Sequence, residues 1–90
     1  MKIVAVCGAG VGTSGILKVN AERALARLEI EADVTASDIA SLATTAADAQ
    51  IILTSPELVD RIPPTWADIV VVQSYVDLAE IEQKLFDALG

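Results

Sequence analysis

The sequence predicts an α/β fold: a single four-stranded parallel sheet, doubly wound with helices on both faces. Three observations predict it. Strand-like apolar runs alternate with helix-period segments in the order β-α-β-α-β-α-β-α. The run QIILTS (50–55) is continuously apolar over its centre, as expected of a strand covered on both faces. The chain has 90 residues, 53% of them apolar, and its only aromatics are Trp66, Tyr75 and Phe86. That supplies one core of Val, Ile, Leu and Ala, hence one domain over residues 1–90.

Each element has its own signal. KIVAV (2–6) reads as a short buried strand, followed by a glycine loop. From about Thr13 the pattern turns helical, with Leu17, Ala21, Ala24, Leu25 and Leu28 on one face and Thr13 or Ser14 as cap. EADVTAS (31–37) is a second strand, and Ser37 or Asp38 starts a short helix through Leu42. After the third strand, Ser55-Pro56-Glu57 reads as a helix start, ended by Pro63-Pro64. DIVVVQS (68–74) is the fourth strand. The last helix starts at Asp77 in a capping-box arrangement with Glu80, and buries Leu78, Ile81, Leu85 and Leu89. Glu80 and Lys84 are spaced for an exposed ion pair. Trp66 reads as a partly buried packing residue.

Composition removes several function classes. Thirteen acidic residues against six basic ones give a net charge of −7, and the basic residues are scattered. No basic patch exists to neutralise a nucleic-acid backbone or an anionic membrane surface. One cysteine cannot close an internal disulfide, which fits a reducing compartment. The apolar run Ile3 to Val6 is too short for a signal peptide, and no stretch has transmembrane length, so a cytoplasmic protein without membrane insertion is expected. The absence of histidine excludes Ser-His-Asp and Cys-His mechanisms within the chain, along with most zinc sites. No metal and no cofactor is expected.

The chemistry concentrates where the first strand meets the first helix. Strand, then Cys7-Gly8-Ala9-Gly10-Val11-Gly12-Thr13-Ser14, then helix is the layout of an anion cradle. Glycines let the backbone turn its amides inward, and a helix N-terminus adds free N–H groups and a positive dipole end. Thr13 and Ser14 can add hydrogen bonds, and a thiol at the mouth is expected to favour its thiolate form. In a doubly wound sheet, ligands bind at the carboxyl ends of the strands near the switch point. Ser37-Asp38, Thr54-Ser55 and Gln73-Ser74 leave that same edge, so Asp38, Thr54 and Ser55 are candidate pocket residues besides their local roles as caps and turn residues.

Several readings of the loop compete. Gly10 to Gly15 matches G-x-G-x-x-G, but the match is displaced from the strand end and the chain is too short for the second half of a dinucleotide fold. Walker A fails for want of the lysine after the glycine. A tyrosine-phosphatase loop, C-x5-R followed by Ser or Thr, would need an arginine where Thr13 stands, so hydrolysis is disfavoured and a lasting phosphocysteine is favoured. A stand-alone thiol enzyme like the low-molecular-weight phosphatases or arsenate reductases is the alternative. A non-catalytic anion-binding module, with Cys7 a small buried hydrophobe, is a third class.

The run CGAGVGTSGILKVN (7–20) resembles the phosphorylation loop and first helix of IIB proteins of the bacterial phosphoenolpyruvate-dependent sugar phosphotransferase system (PTS), most of all the ascorbate and galactitol class. The resemblance continues through Ala32-Asp33-Val34 to Asp38-Ile39, IILTSPEL (51–58) and the final helix, and so covers essentially the whole chain. It implies the phosphatase-like, Rossmann-like IIB fold. It also implies a phosphotransferase in which Cys7 accepts a phosphoryl group from a phosphohistidine on a IIA protein and donates it to a sugar held by a membrane IIC component. Gly8 to Ser14 would then hold the phosphoryl oxygens. Gly15 departs from the larger apolar residue found in many such loops.

Overall fold

The computed structural model describes residues 1–6, 11–62, 64–74 and 76–89, with the backbone alone described over 11–14. The elements run β1 (Lys2–Val6), α1 (Val11–Leu28), β2 (Asp33–Ser37), α2 (Leu42–Thr45), β3 (Ile51–Thr54), a 3-10 turn (Val59–Arg61), β4 (Asp68–Val71) and α3 (Leu78–Leu89). The four strands form one sheet in the order β2-β1-β3-β4, and every pairing is parallel.

The period-two alternation of the strands builds a core on each face. Ile3, Ala5, Ile51, Leu53 and Val70 point to one side, where Leu17, Ala21, Ala24 and Leu25 of α1 and Ile81 and Leu85 of α3 cover them. Val4, Val6 and Ile52 point to the other, beneath Leu42, Ala46, Leu58 and Ala67. The alanines of α1 let that helix sit close to the strands. Arg27 and Glu82 bridge α1 and α3 at 3.1 Å. α1 ends in a left-handed residue, Glu29 (φ 58°), and the Ile30 N–H reaches the Leu25 carbonyl at 3.0 Å. This is the Schellman closure, made with a glutamate where glycine is the unstrained choice.

The α/β class, the parallel sheet and the helices on both faces are as the sequence predicts. The buried stripe of α1 is also as predicted, except that Leu28 is only partly buried.

Several local features differ. α1 begins at Val11, so Thr13 and Ser14 lie inside its first turn and are not its caps. α2 begins at Leu42, later than expected, because the Asp38 carboxylate accepts the Ser41 N–H at 2.7 Å and closes a turn first. The segment after β3 makes only a 3-10 turn. There the Ser55 hydroxyl donates to Glu57 Oε2 at 3.1 Å and does not cap a helix.

β4 is shorter than expected and lies at the sheet edge, with Asp68 and Ile69 exposed. Trp66 is not buried in the core: it is 102% exposed, on a loop where the Ala67 N–H binds back to Thr65 Oγ1. Pro63 and Tyr75 lie outside the described residues.

Candidate functional site

The site predicted from sequence lies at the carboxyl edge of the sheet. β1 is followed in chain order by β2 on one side, and the chain then crosses to β3 on the other. The strand order therefore reverses between β1 and β3, which makes that pair the switch point. The chain leaves β1 at Val6 and enters α1 at Val11. Cys7, Gly8, Ala9 and Gly10 lie outside the described residues, as do the side chains of Val11, Gly12, Thr13 and Ser14. The backbone of Val11 to Ser14 is the first turn of an 18-residue helix. Those four N–H groups have no carbonyl within the helix to bind. No acidic residue sits in that turn to compete for them.

The other strand ends bring the remaining candidates to the same edge, with unequal freedom. Ser37 Oγ donates to the Asp38 carbonyl at 3.0 Å, and the Asp38 carboxylate is engaged by Ser41. β2 is an edge strand, so both stand one strand away from the switch point on the outer side. Thr54 and Ser55, at the end of β3, stand directly beside it. Ser55 is 3% exposed and its hydroxyl is spent on Glu57. Thr54 is 0% exposed, and its hydroxyl has no hydrogen-bond partner among the described residues.

A residue of consequence that the sequence reading misplaced is Glu80. Asp77 Oδ1 accepts the Glu80 N–H at 3.1 Å, which is half of a capping box. The Glu80 side chain does not complete the box, and no ion pair to Lys84 forms among the described residues. The carboxylate instead accepts the Gln73 N–H at 2.9 and 3.0 Å and the Ser74 N–H at 3.0 Å. It thus ties the start of α3 to the chain leaving β4. The signal available was a glutamate in the first turn of a helix that follows a short polar connection. Apolar side chains flank this edge: Val76 is 72% exposed and Ile16, one turn into α1, is 47% exposed.

A separate shallow apolar pocket of about 180 Å³, lined by Leu42, Ile52, Ile62 and Trp66 among others, lies beneath α2 and carries no titratable group. Among the described residues no cluster of three or more His, Cys, Asp or Glu side chains could hold a metal. Among the described residues no helix is long and apolar enough to cross a membrane.

Comparison with known proteins agrees with this architecture. Residues 2–86 match the family model described as PTS system, lactose/cellobiose specific IIB subunit. The chain is 33% identical over 90 residues to the ascorbate-specific PTS system EIIB component of Mycoplasma pneumoniae, covering 99% of this chain and 95% of that protein. Its fold is similar to the lactose-specific IIB domain from Streptococcus pneumoniae, with a TM-score of 0.70 at 18% identity over 99% of this chain and 94% of the other. The chain therefore belongs to the PTS IIB family, the phosphotransferase components of bacterial sugar transport.

Proposed function

We propose that residues 1–90 act as a single IIB domain in which Cys7 carries the phosphoryl group. The observation that supports this most is the start of α1. Its first-turn N–H groups face the carboxyl edge at the switch point, four residues after β1 ends, with no acidic side chain in the turn. A dianionic phosphoryl group on Cys7 would find free amides and the positive end of an 18-residue helix there. Gly8, Ala9, Gly10, Val11 and Gly12 contribute backbone N–H groups, and Thr13 and Ser14 contribute N–H groups and hydroxyls.

The donor is a phosphohistidine on a IIA protein. The Cys7 thiolate attacks phosphorus, the S–P bond forms as the P–N bond breaks, and the imidazole nitrogen departs with the electron pair. In the second transfer a sugar hydroxyl held by a membrane IIC component attacks phosphorus. The O–P bond forms, the S–P bond breaks with its electron pair returning to sulfur, and the hydroxyl proton passes to a base beside the sugar. Each step depends on alignment and on charge stabilisation by the fixed amides. The exposed Val76 and Ile16 give the edge an apolar rim that suits protein docking. The chain's own lack of histidine fits a role in which the partner supplies one. The ascorbate-specific relative supports an ascorbate-like sugar, and a cytoplasmic location follows from the role.

The test is intact-mass analysis after incubation with phosphoenolpyruvate, the general phosphotransferase proteins and IIA proteins of the ascorbate and lactose/cellobiose classes. One phosphoryl adduct on the wild type, absent from Cys7→Ser, is expected. No adduct from any IIA that is itself phosphorylated would overturn the relay and favour the stand-alone thiol enzyme.

A further inference from the structure

We propose that the Thr54 hydroxyl is a hydrogen-bond donor to the phosphoryl group on Cys7, an inference that rests on the relay reading above. Three observations carry it. First, Thr54 is completely buried and its Oγ1 has no partner among the described residues, although buried hydroxyls in native proteins are nearly always paired. Second, the β1–β3 register pairs Ala5 with Leu53, and one further step sets Thr54 level with Val6, the residue before Cys7. Thr54 therefore stands on the reversal of strand order, where doubly wound sheets bind their ligands. Third, the other strand-end hydroxyls have local work. Ser37 donates to the Asp38 carbonyl, Ser55 donates to Glu57, and the Ser74 oxygen accepts the Val76 N–H at 3.4 Å.

A valine would fill the same volume at the end of a buried strand and leave no polar atom unpaired. A hydroxyl kept unpaired in the unmodified protein is explained if its acceptor arrives with the phosphoryl group. Charged acceptors make the strongest such bonds. The bond would strengthen only in the phosphorylated state, so the hydroxyl biases the exchange with IIA toward the IIB product.

The test compares wild type, Thr54→Val and Thr54→Ser in two measurements. One is the equilibrium fraction of phosphorylated chain at a fixed ratio of phosphorylated to unphosphorylated IIA. The other is the melting temperature of the unmodified chain. Thr54→Val is expected to lower the exchange equilibrium constant about tenfold, while the unmodified chain melts at the same temperature or higher. Thr54→Ser, which keeps the hydroxyl, is expected to restore most of the phosphorylated fraction. An exchange constant for Thr54→Val equal to that of wild type would overturn the proposal. So would a Thr54→Val chain that melts earlier with its exchange constant unchanged, since the hydroxyl would then serve the fold alone. A wild type that takes no phosphoryl group overturns the relay itself, whatever the variants do.

Discussion

Replacing Glu80 by alanine probes how the carboxyl edge is held together. The carboxylate receives two backbone donors, Gln73 N–H and Ser74 N–H, over three contacts of 2.9 to 3.0 Å. A hydrogen bond to a charged group contributes about 1.5 kcal/mol net at the low end, the end that suits a half-exposed side chain. Two donors therefore stand for about 3 kcal/mol. Alanine recovers about 0.5 kcal/mol of helix propensity, and water can reach the freed Gln73 amide. The expected loss is about 2 kcal/mol, or roughly 10 °C in melting temperature for a domain of this size. Glu80→Gln keeps an acceptor oxygen and should lose about half as much.

The assay is urea unfolding at constant m-value, with hydrogen exchange at the Gln73 and Ser74 amides as the local readout. Lys84→Ala is the control. If Glu80 worked through an ion pair with Lys84, both variants would weaken the protein alike. The structure predicts that Lys84→Ala stays within about 0.5 kcal/mol of wild type. A Glu80→Ala chain within that same margin, or unchanged exchange at Gln73 and Ser74, would refute the reasoning.

Other consequences are as direct. Glu29 holds a left-handed conformation at φ 58°, so Glu29→Gly should stabilise by about 1 kcal/mol and raise the melting temperature by roughly 4–8 °C. An unchanged melting temperature would mean that the side chain recovers that strain elsewhere. A Cβ added at Gly15 meets nothing within 4 Å, so Gly15→Ala should stabilise α1 by about 0.5–1 kcal/mol, read by urea midpoint. Asp48 titrates below its usual 3.8, first because Lys2 Nζ donates to its carboxylate at 2.9 Å, then through its backbone N–H and the Lys2 charge. Its folded pKa is depressed, so its contribution to stability is present above the unfolded pKa and is lost as pH falls through the folded one. Lys2→Ala should move the Asp48 carboxyl titration upward in an NMR pH series; a titration left in place would contradict this assignment.

The parts of the fold legible in the sequence were those with a long or unbroken pattern. Leu17, Ala21, Ala24 and Leu25 repeat at helical spacing, and Ile51 to Leu53 form the unbroken apolar run expected of a strand covered on both faces. The short elements on the opposite face were not legible at residue level. Asp38 and Ser55 each have a local hydrogen bond available that competes with a helix start, and only tertiary context decides the outcome. Trp66 could not be placed from composition, since nothing in a Pro-Pro-Thr-Trp run says which way the indole turns. At the site, the ends of β1 and β2 were readable from the alternation of elements, while the sequence pattern starts α1 two residues late and ends β4 three residues late. The burial of the Thr54 hydroxyl was not readable, because it depends on β1 and β3 lying side by side, and the sequence alone does not state strand order. For Glu80 the place in the first turn of α3 was legible, but the Gln73 and Ser74 N–H groups as its partners were not.

The central claim is that the phosphoryl group resides on Cys7. The most direct measurement is peptide-level mass spectrometry of the chain after phosphorylation by its IIA donor, digested under conditions that preserve the S–P bond. The account predicts a modified peptide whose fragment ions assign the phosphoryl group to Cys7, with Thr13 and Ser14 unmodified. A phosphoryl group assigned to Thr13, Ser14 or Thr54, with Cys7 a free thiol in the same molecule, would contradict it.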